Sequence, residues 1–138
     1  MTYQLNFDVI HRYDPGRPGI AIPISLSLGA QALVTEAHLD TGGANCFFRR
    51  SLGEKLGLDI ESGHWQRFSS PGGIVEGYGH SVTLEALGME FDTVIYFAKD
   101  RGFNRNLLGR YGWLQRLRMG LIDYDGLLYL SRYESGQL

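Results

Sequence analysis

One cysteine, Cys46, stands in a chain of 138 residues, so no internal disulfide can form, and four scattered histidines give no spacing that resembles a zinc site. Between Asn45 and Phe47-Phe48 the thiol suits a small core residue better than a nucleophile. No apolar run approaches the length of a membrane span. The opening residues Met1-Thr2-Tyr3-Gln4-Leu5-Asn6 carry neither a basic region nor an apolar stretch of signal-peptide length, so the expectation is a cytoplasmic protein without membrane contact. An excess of positive charge is also missing. Thirteen Lys+Arg against fifteen Asp+Glu leave a net charge of −2, and apart from Arg116 and Arg118 the basic residues are spread out, which argues against nucleic acid as a partner. The length fits one domain over 1–138 and is too short for two lobes with a cleft between them. A cleft-based site would need a second chain.

Glycine is abundant, with 19 residues separating short apolar segments, a pattern of many tight turns that favours an all-β fold. Tyr3, Leu5, Phe7 and Val9 alternate with polar residues, which predicts a first strand over 3–9. Asp14-Pro15-Gly16-Arg17-Pro18-Gly19 then forces a loop. Ile20, Ile22, Ile24, Leu26 and Leu28 mark a second strand, with Pro23 suited to an edge or a bulge, and Gly29-Ala30-Gln31 turns it into a third. Ser51 and Glu54 have capping-box spacing for a helix of about two turns that Gly57 ends. Trp65, Arg67 and Phe68 lead into a glycine-tipped hairpin, and 74–86 and 91–98 are strands joined at Leu87-Gly88. Trp113, Leu114 and Leu117 have the spacing of a short helix face, the Asp125-Gly126 pair predicts a last hairpin, and 134–138 reads as a frayed tail.

The organising stretch is Ala37-His38-Leu39-Asp40-Thr41-Gly42-Gly43-Ala44. Val34, Thr35, Ala37 and Leu39 suit a strand packed on at least one face, and Gly42-Gly43 breaks it at a corner that holds up one carboxylate. Asp40 is either a group displayed for chemistry or an Asx-turn residue capping its own backbone. No second Asp-Thr-Gly occurs: Asp92-Thr93 is followed by Val94, and 123–126 lacks the threonine.

Leu39-Asp40-Thr41-Gly42-Gly43, the glycine-tipped hairpin at 70–73 and Leu107-Leu108-Gly109-Arg110 together resemble, in order and spacing, the retroviral-type (retropepsin-like) aspartic proteases, over about 20–130. The resemblance implies a single-domain acid-protease barrel with one or two short helices, active as a homodimer on a peptide or protein substrate, with no metal or cofactor. Asp40 would be the catalytic residue. Thr41 would bond across the two-fold axis, and Gly42 would let its amide approach the carboxylate. Ser69, Ser70, Pro71, Gly72, Gly73 and Ile74 would form a flap closing over the peptide. Leu107, Leu108 and Gly109 would pack behind the Asp40 turn, and Arg110 would begin a short helix and brace the dimer contact. The chemistry needs two carboxyls, one taking a proton from water and one donating to the carbonyl oxygen, so a chain with one such Asp obtains the second by symmetry.

Two positions depart from the family pattern. Gly43 stands where the family most often has alanine, and so loosens the turn and offers no hydroxyl. Ala44 stands where retroviral members carry an acid that pairs with the late arginine, which leaves Arg110 without an assigned partner. His38, two residues before Asp40, points to its side if the strand is regular and is then placed to tune it. Two other readings compete. Asp-x-Gly-Gly after a strand also resembles the phosphate loop of actin-like sugar kinases, but those need two lobes and a second phosphate motif. A protease-fold dimer that binds peptides or proteins with little or no catalysis is the non-enzyme alternative.

Overall fold

A computed structural model describes residues 1–134. Among them are ten strands and one α-helix: β1 Val9–Arg12, β2 Ala21–Leu28, β3 Gln31–Leu39, β4 Phe47–Phe48, α1 Arg50–Lys55, β5 His64–Ser70, β6 Gly73–Ala86, β7 Met89–Ala98, β8 Leu107–Leu108, β9 Leu117–Ile122 and β10 Leu127–Arg132, so the protein is all-β. Strands β2-β3-β8-β4-β7-β6 lie side by side in that order, and pairing of β2 with β6 closes them into a ring of six. β5 hangs on the outer half of β6, and β1, β10 and β9 form a separate small sheet. Closure gives each of the six ring strands a neighbour on both sides, and among the described residues leaves β5 with a free outer edge.

The ring is filled by the inward positions of its strands. Ile22, Ile24 and Leu26 of β2, Val82, Leu84 and Ala86 of β6, and Ile95 and Phe97 of β7 are buried in one cluster with Phe48, Leu108 and Trp113. Leu128 and Leu130 of the small sheet join the same cluster, which ties the two sheets together. β6 reaches past the barrel because its first half pairs with β5 and its second half with β2. Gly77 and Gly79 sit in the outer half; a Cβ at Gly77 would meet the Phe47 ring at 2.6 Å, and one at Gly79 the Tyr96 ring at 3.0 Å, so these glycines make room for the aromatic side chains below the hairpin.

Several expectations need correction. The strand predicted over 3–9 is absent: residues 1–7 are in no strand, Tyr3 and Leu5 are exposed, and pairing begins at Val9 against Leu130. An alternating pattern makes a strand only where another strand offers its edge, and β10 offers one only from that point. The capping box does not form. Arg49 is the N-cap, Ser51 lies inside α1, and Glu54 is instead paired with Arg50 and Arg101. The helix does end at Gly57, whose φ of +83° allows Gly57 and Leu58 to donate to the carbonyls of Glu54 and Gly53. No α-helix follows Arg110 among the described residues; where the short helix was expected there is a 3-10 turn, Leu114–Arg116, and Leu117 already belongs to β9. Val34 is exposed rather than packed, since β3 turns Leu33, Ala37 and Leu39 inward. The last hairpin turns through a 3-10 turn, Asp123–Asp125, followed by Gly126 in the left-handed region, rather than through a two-residue Asp-Gly loop.

The remaining turns match the reading closely. Gly29-Ala30 joins β2 to β3, Leu87-Gly88 joins β6 to β7, and Pro23 lies just beyond the point where β2 leaves β6, where a missing N–H costs no ladder bond. Cys46 is fully buried. From residue 135 on, the predicted tail lies outside the described residues. No helix among the described residues is long and apolar enough to cross a membrane.

Candidate active site

β8 is the short strand that holds the Asp40 turn in place. It lies between β3 and β4, parallel to the first and antiparallel to the second, and is joined to neither by a hairpin. The ladder runs on past the end of β3: the amide of His38 donates to the Asn106 carbonyl at 2.8 Å and that of Asp40 to Leu108 at 2.9 Å. Beyond the turn the donors reverse, with the Arg110 amide bonded to the Gly43 carbonyl and the Tyr111 amide to Ala44, both at 2.8 Å. The Gly43 amide closes the corner on the Asp40 carbonyl at 3.1 Å. Five backbone bonds thus position the main chain on both sides of one carboxylate.

Gly109 is the point of closest approach. A Cβ there would fall on the Asn45 carbonyl and lie 2.8 Å from the Gly43 oxygen, so only hydrogen fits between the strand and the back of the turn. Leu108, fully buried, anchors the same strand in the core.

The Asp40 side chain is half-buried and makes no hydrogen bond or ion pair among the described residues. Its carboxylate lies over the two glycines: a Cβ at position 43 would be 2.7 Å from Oδ2, and one at position 42 would be 3.7 Å from Oδ1. Gly43 therefore gives the carboxylate its space, which is a more specific role than loosening the turn. Thr41 and Gly42 are exposed at the crest, and the Thr41 hydroxyl has no hydrogen-bond partner among the described residues.

Ser69, Ser70, Pro71, Gly72, Gly73 and Ile74 form the tip of the β5–β6 hairpin, all exposed, with Ser70 paired to Gly73 and its hydroxyl donating to the Gly73 carbonyl at 2.8 Å. No hydrogen bond among the described residues joins this tip to the Asp40 turn. At the hairpin base, Phe68 packs edge-on against Phe47 and Tyr96 at 5.0 and 5.1 Å. Arg110 is exposed, has no carboxylate partner among the described residues, and stands 5.9 Å from the Tyr111 ring centre. His38 shares the outward face of β3 with Asp40, yet its ring occupies the space beside Gly19.

One residue of the site escaped the sequence reading. Asn106 is buried; its Oδ1 accepts from the Arg49 amide at 3.2 Å and its Nδ2 donates to the Glu36 carbonyl at 3.1 Å, so it ties β3 to the start of α1 beside the turn. The only sequence signal is a polar residue directly before Leu107-Leu108. Among the described residues no group of three or more His, Cys, Asp or Glu could hold a metal ion. No model of a known protein family matches the chain. No curated protein matches it either.

Proposed function

We propose that the protein is an aspartic endopeptidase of the retropepsin-like kind, hydrolysing peptide bonds with water activated between the Asp40 carboxylates of two identical chains. The observation that carries the reading is the Asp40 turn itself, a carboxylate without a partner among the described residues, held at the end of a strand by Leu108 of β8 through Asp40 and by Arg110 just beyond it through Gly43. Two carboxylates brought together across a two-fold share one proton, because both cannot ionise at close range. The ionised one accepts a proton from water as it attacks, and the protonated one donates to the carbonyl oxygen. The exposed Thr41 and Gly42 form a crest on which a second copy can sit, and the β5–β6 hairpin supplies exposed backbone that could pair with an extended peptide. A cytoplasmic setting is part of the proposal, in keeping with a single, buried thiol.

The test is peptide cleavage against pH by the wild type and by Asp40→Asn, with circular dichroism as the control for folding. The wild type should cleave best at mildly acidic pH, and the variant should lose several powers of ten in rate. Equal cleavage by a folded Asp40→Asn would overturn the assignment. Absence of cleavage by either protein would favour the peptide-binding dimer.

A further inference from the structure

A pocket of ≈ 320 Å³ opens at the His38 end of β3, two residues short of Asp40, and mixes apolar surface with charged and amide groups. Glu36 and His38 of β3, Arg49 before α1, and Asn104, Arg105 and Asn106 before β8 line it. Side chains on a strand alternate, and the ladder between β3 and β8 is unbroken from the His38 amide to the Asp40 amide, so 36, 38 and 40 share the outward face. Two residues of strand span about 7 Å. The pocket therefore begins one side chain along from the carboxylate assigned to catalysis.

Its charge is predominantly positive. Arg49 and Arg105 have no ion-pair partner among the described residues, whereas Glu36, the one acid in the lining, already faces Arg17 at 3.8 Å. The Arg49 Nε is buried and has no acceptor. That Nε is out of reach of a ligand, so recognition would fall to the remaining guanidinium donors of Arg49 and to Arg105, and a carboxylate suits such a planar fork because it accepts two parallel hydrogen bonds. Asn106 holds the wall in place by bonding to the Arg49 amide and the Glu36 carbonyl.

We propose that this pocket takes the carboxylate of an acidic side chain next to the scissile bond, with Arg49 and Arg105 as the charges that hold it. The proposal rests on the endopeptidase reading of Asp40 for its meaning as a specificity site. In an extended peptide with its scissile carbonyl at Asp40, the residues flanking that bond are the ones whose side chains span this distance.

The test uses peptides blocked at both ends, identical except for Glu or Gln at each position flanking the cut. The wild type should favour Glu by on the order of tenfold in kcat/KM, as expected for hydrogen bonds to a charged group. Arg49→Met or Arg105→Met should bring that ratio close to one. Arg105→Glu, at an exposed position that leaves folding intact, should invert it. Cleavage with no preference for Glu, or a preference that survives these substitutions, overturns the inference and leaves the endopeptidase reading standing. If nothing is cleaved, peptide binding measured by fluorescence anisotropy decides. A Glu preference that Arg105→Glu reverses upholds the pocket and overturns the protease, and no preference in binding overturns both.

Discussion

Oδ2 of Asp40 faces Gly43 so closely that a Cβ at position 43 would stand 2.7 Å from that oxygen and 3.1 Å from Cγ. Gly43→Ala therefore acts on the carboxylate, the far end of a side chain that can rotate, and leaves the backbone turn intact. Small displacements of a reacting group can cost up to about a hundredfold in rate. The expected outcome is a loss of about ten- to a hundredfold in kcat/KM with a melting temperature shifted by no more than a few degrees. Full activity in Gly43→Ala would show that the carboxylate does not work from the orientation seen here.

Gly109→Ala makes the opposite kind of change. The added methyl meets the backbone carbonyls of Asn45 and Gly43, and shifting that segment would disturb the bonds from the Arg110 amide to Gly43 and from the Tyr111 amide to Ala44. Overpacking of this sort costs about 1–3 kcal/mol. Urea unfolding should show a lower midpoint, with activity lost alongside it. A variant as stable as the wild type would mean that the strand can slide away from the turn.

These two glycines also mark how far the sequence could be read. Alternation over β2, β6 and β7 is visible because each strand has one buried face, and Gly29, Gly57 and Gly88 announce their turns through conformations that other residues resist. Tyr3, Leu5 and Phe7 show the same alternation and form no strand, because pattern records what a segment could bury and not whether an edge is available to it. The Ser51–Glu54 spacing failed for a related reason: Arg50 and Arg101, the second distant in sequence, compete for the glutamate. Asp40 was legible from its glycines. The pocket with its two arginines was not, since Glu36, Arg49 and Arg105 come together only when β8 enters between β3 and β4.

Burial should make Cys46 inert. Desolvation pushes its thiol up to about 12, with a smaller opposing effect from a backbone hydrogen bond at Gly109. The thiolate is the reactive form, so a thiol reagent at pH 8 should modify the native protein far more slowly than the urea-unfolded chain. The folded state holds this proton more tightly than the unfolded one. Stability from this group is thus complete below pH 9, the ordinary value, and declines as pH rises from there toward 12. Rapid native-state labelling would contradict a closed core at this point.

Hydrogen exchange should divide the β5–β6 hairpin at Phe68. Below it, Phe47, Phe68 and Tyr96 pack edge to face; above it, residues 69–74 are all exposed and bury nothing. Amides at the tip should exchange rapidly in the free protein and slow when a peptide inhibitor is bound. Uniform protection along the whole hairpin in the free protein would remove the case for a closing flap.

The shared-site proposal makes a quantitative prediction about mixtures. Each chain has one Asp40, without an ion-pair partner among the described residues, so on the shared-site proposal two carboxylates meet only in a wild-type pair. Asparagine is close in shape to aspartate and cannot share or shuttle the proton, so Asp40→Asn should still associate while removing catalysis from any dimer it enters. With random exchange, an equimolar mixture leaves about half of the wild-type chains with a wild-type partner, and a ninefold excess of the variant leaves about a tenth. Activity per wild-type chain should fall by those factors after equilibration. It should also fall on dilution of the wild type alone, below the concentration at which sedimentation shows dissociation. A tandem fusion of two wild-type copies should resist both effects. Wild-type activity that is unchanged by excess Asp40→Asn and by dilution to the monomer would mean that one chain suffices, and the second carboxylate would then have to come from within it.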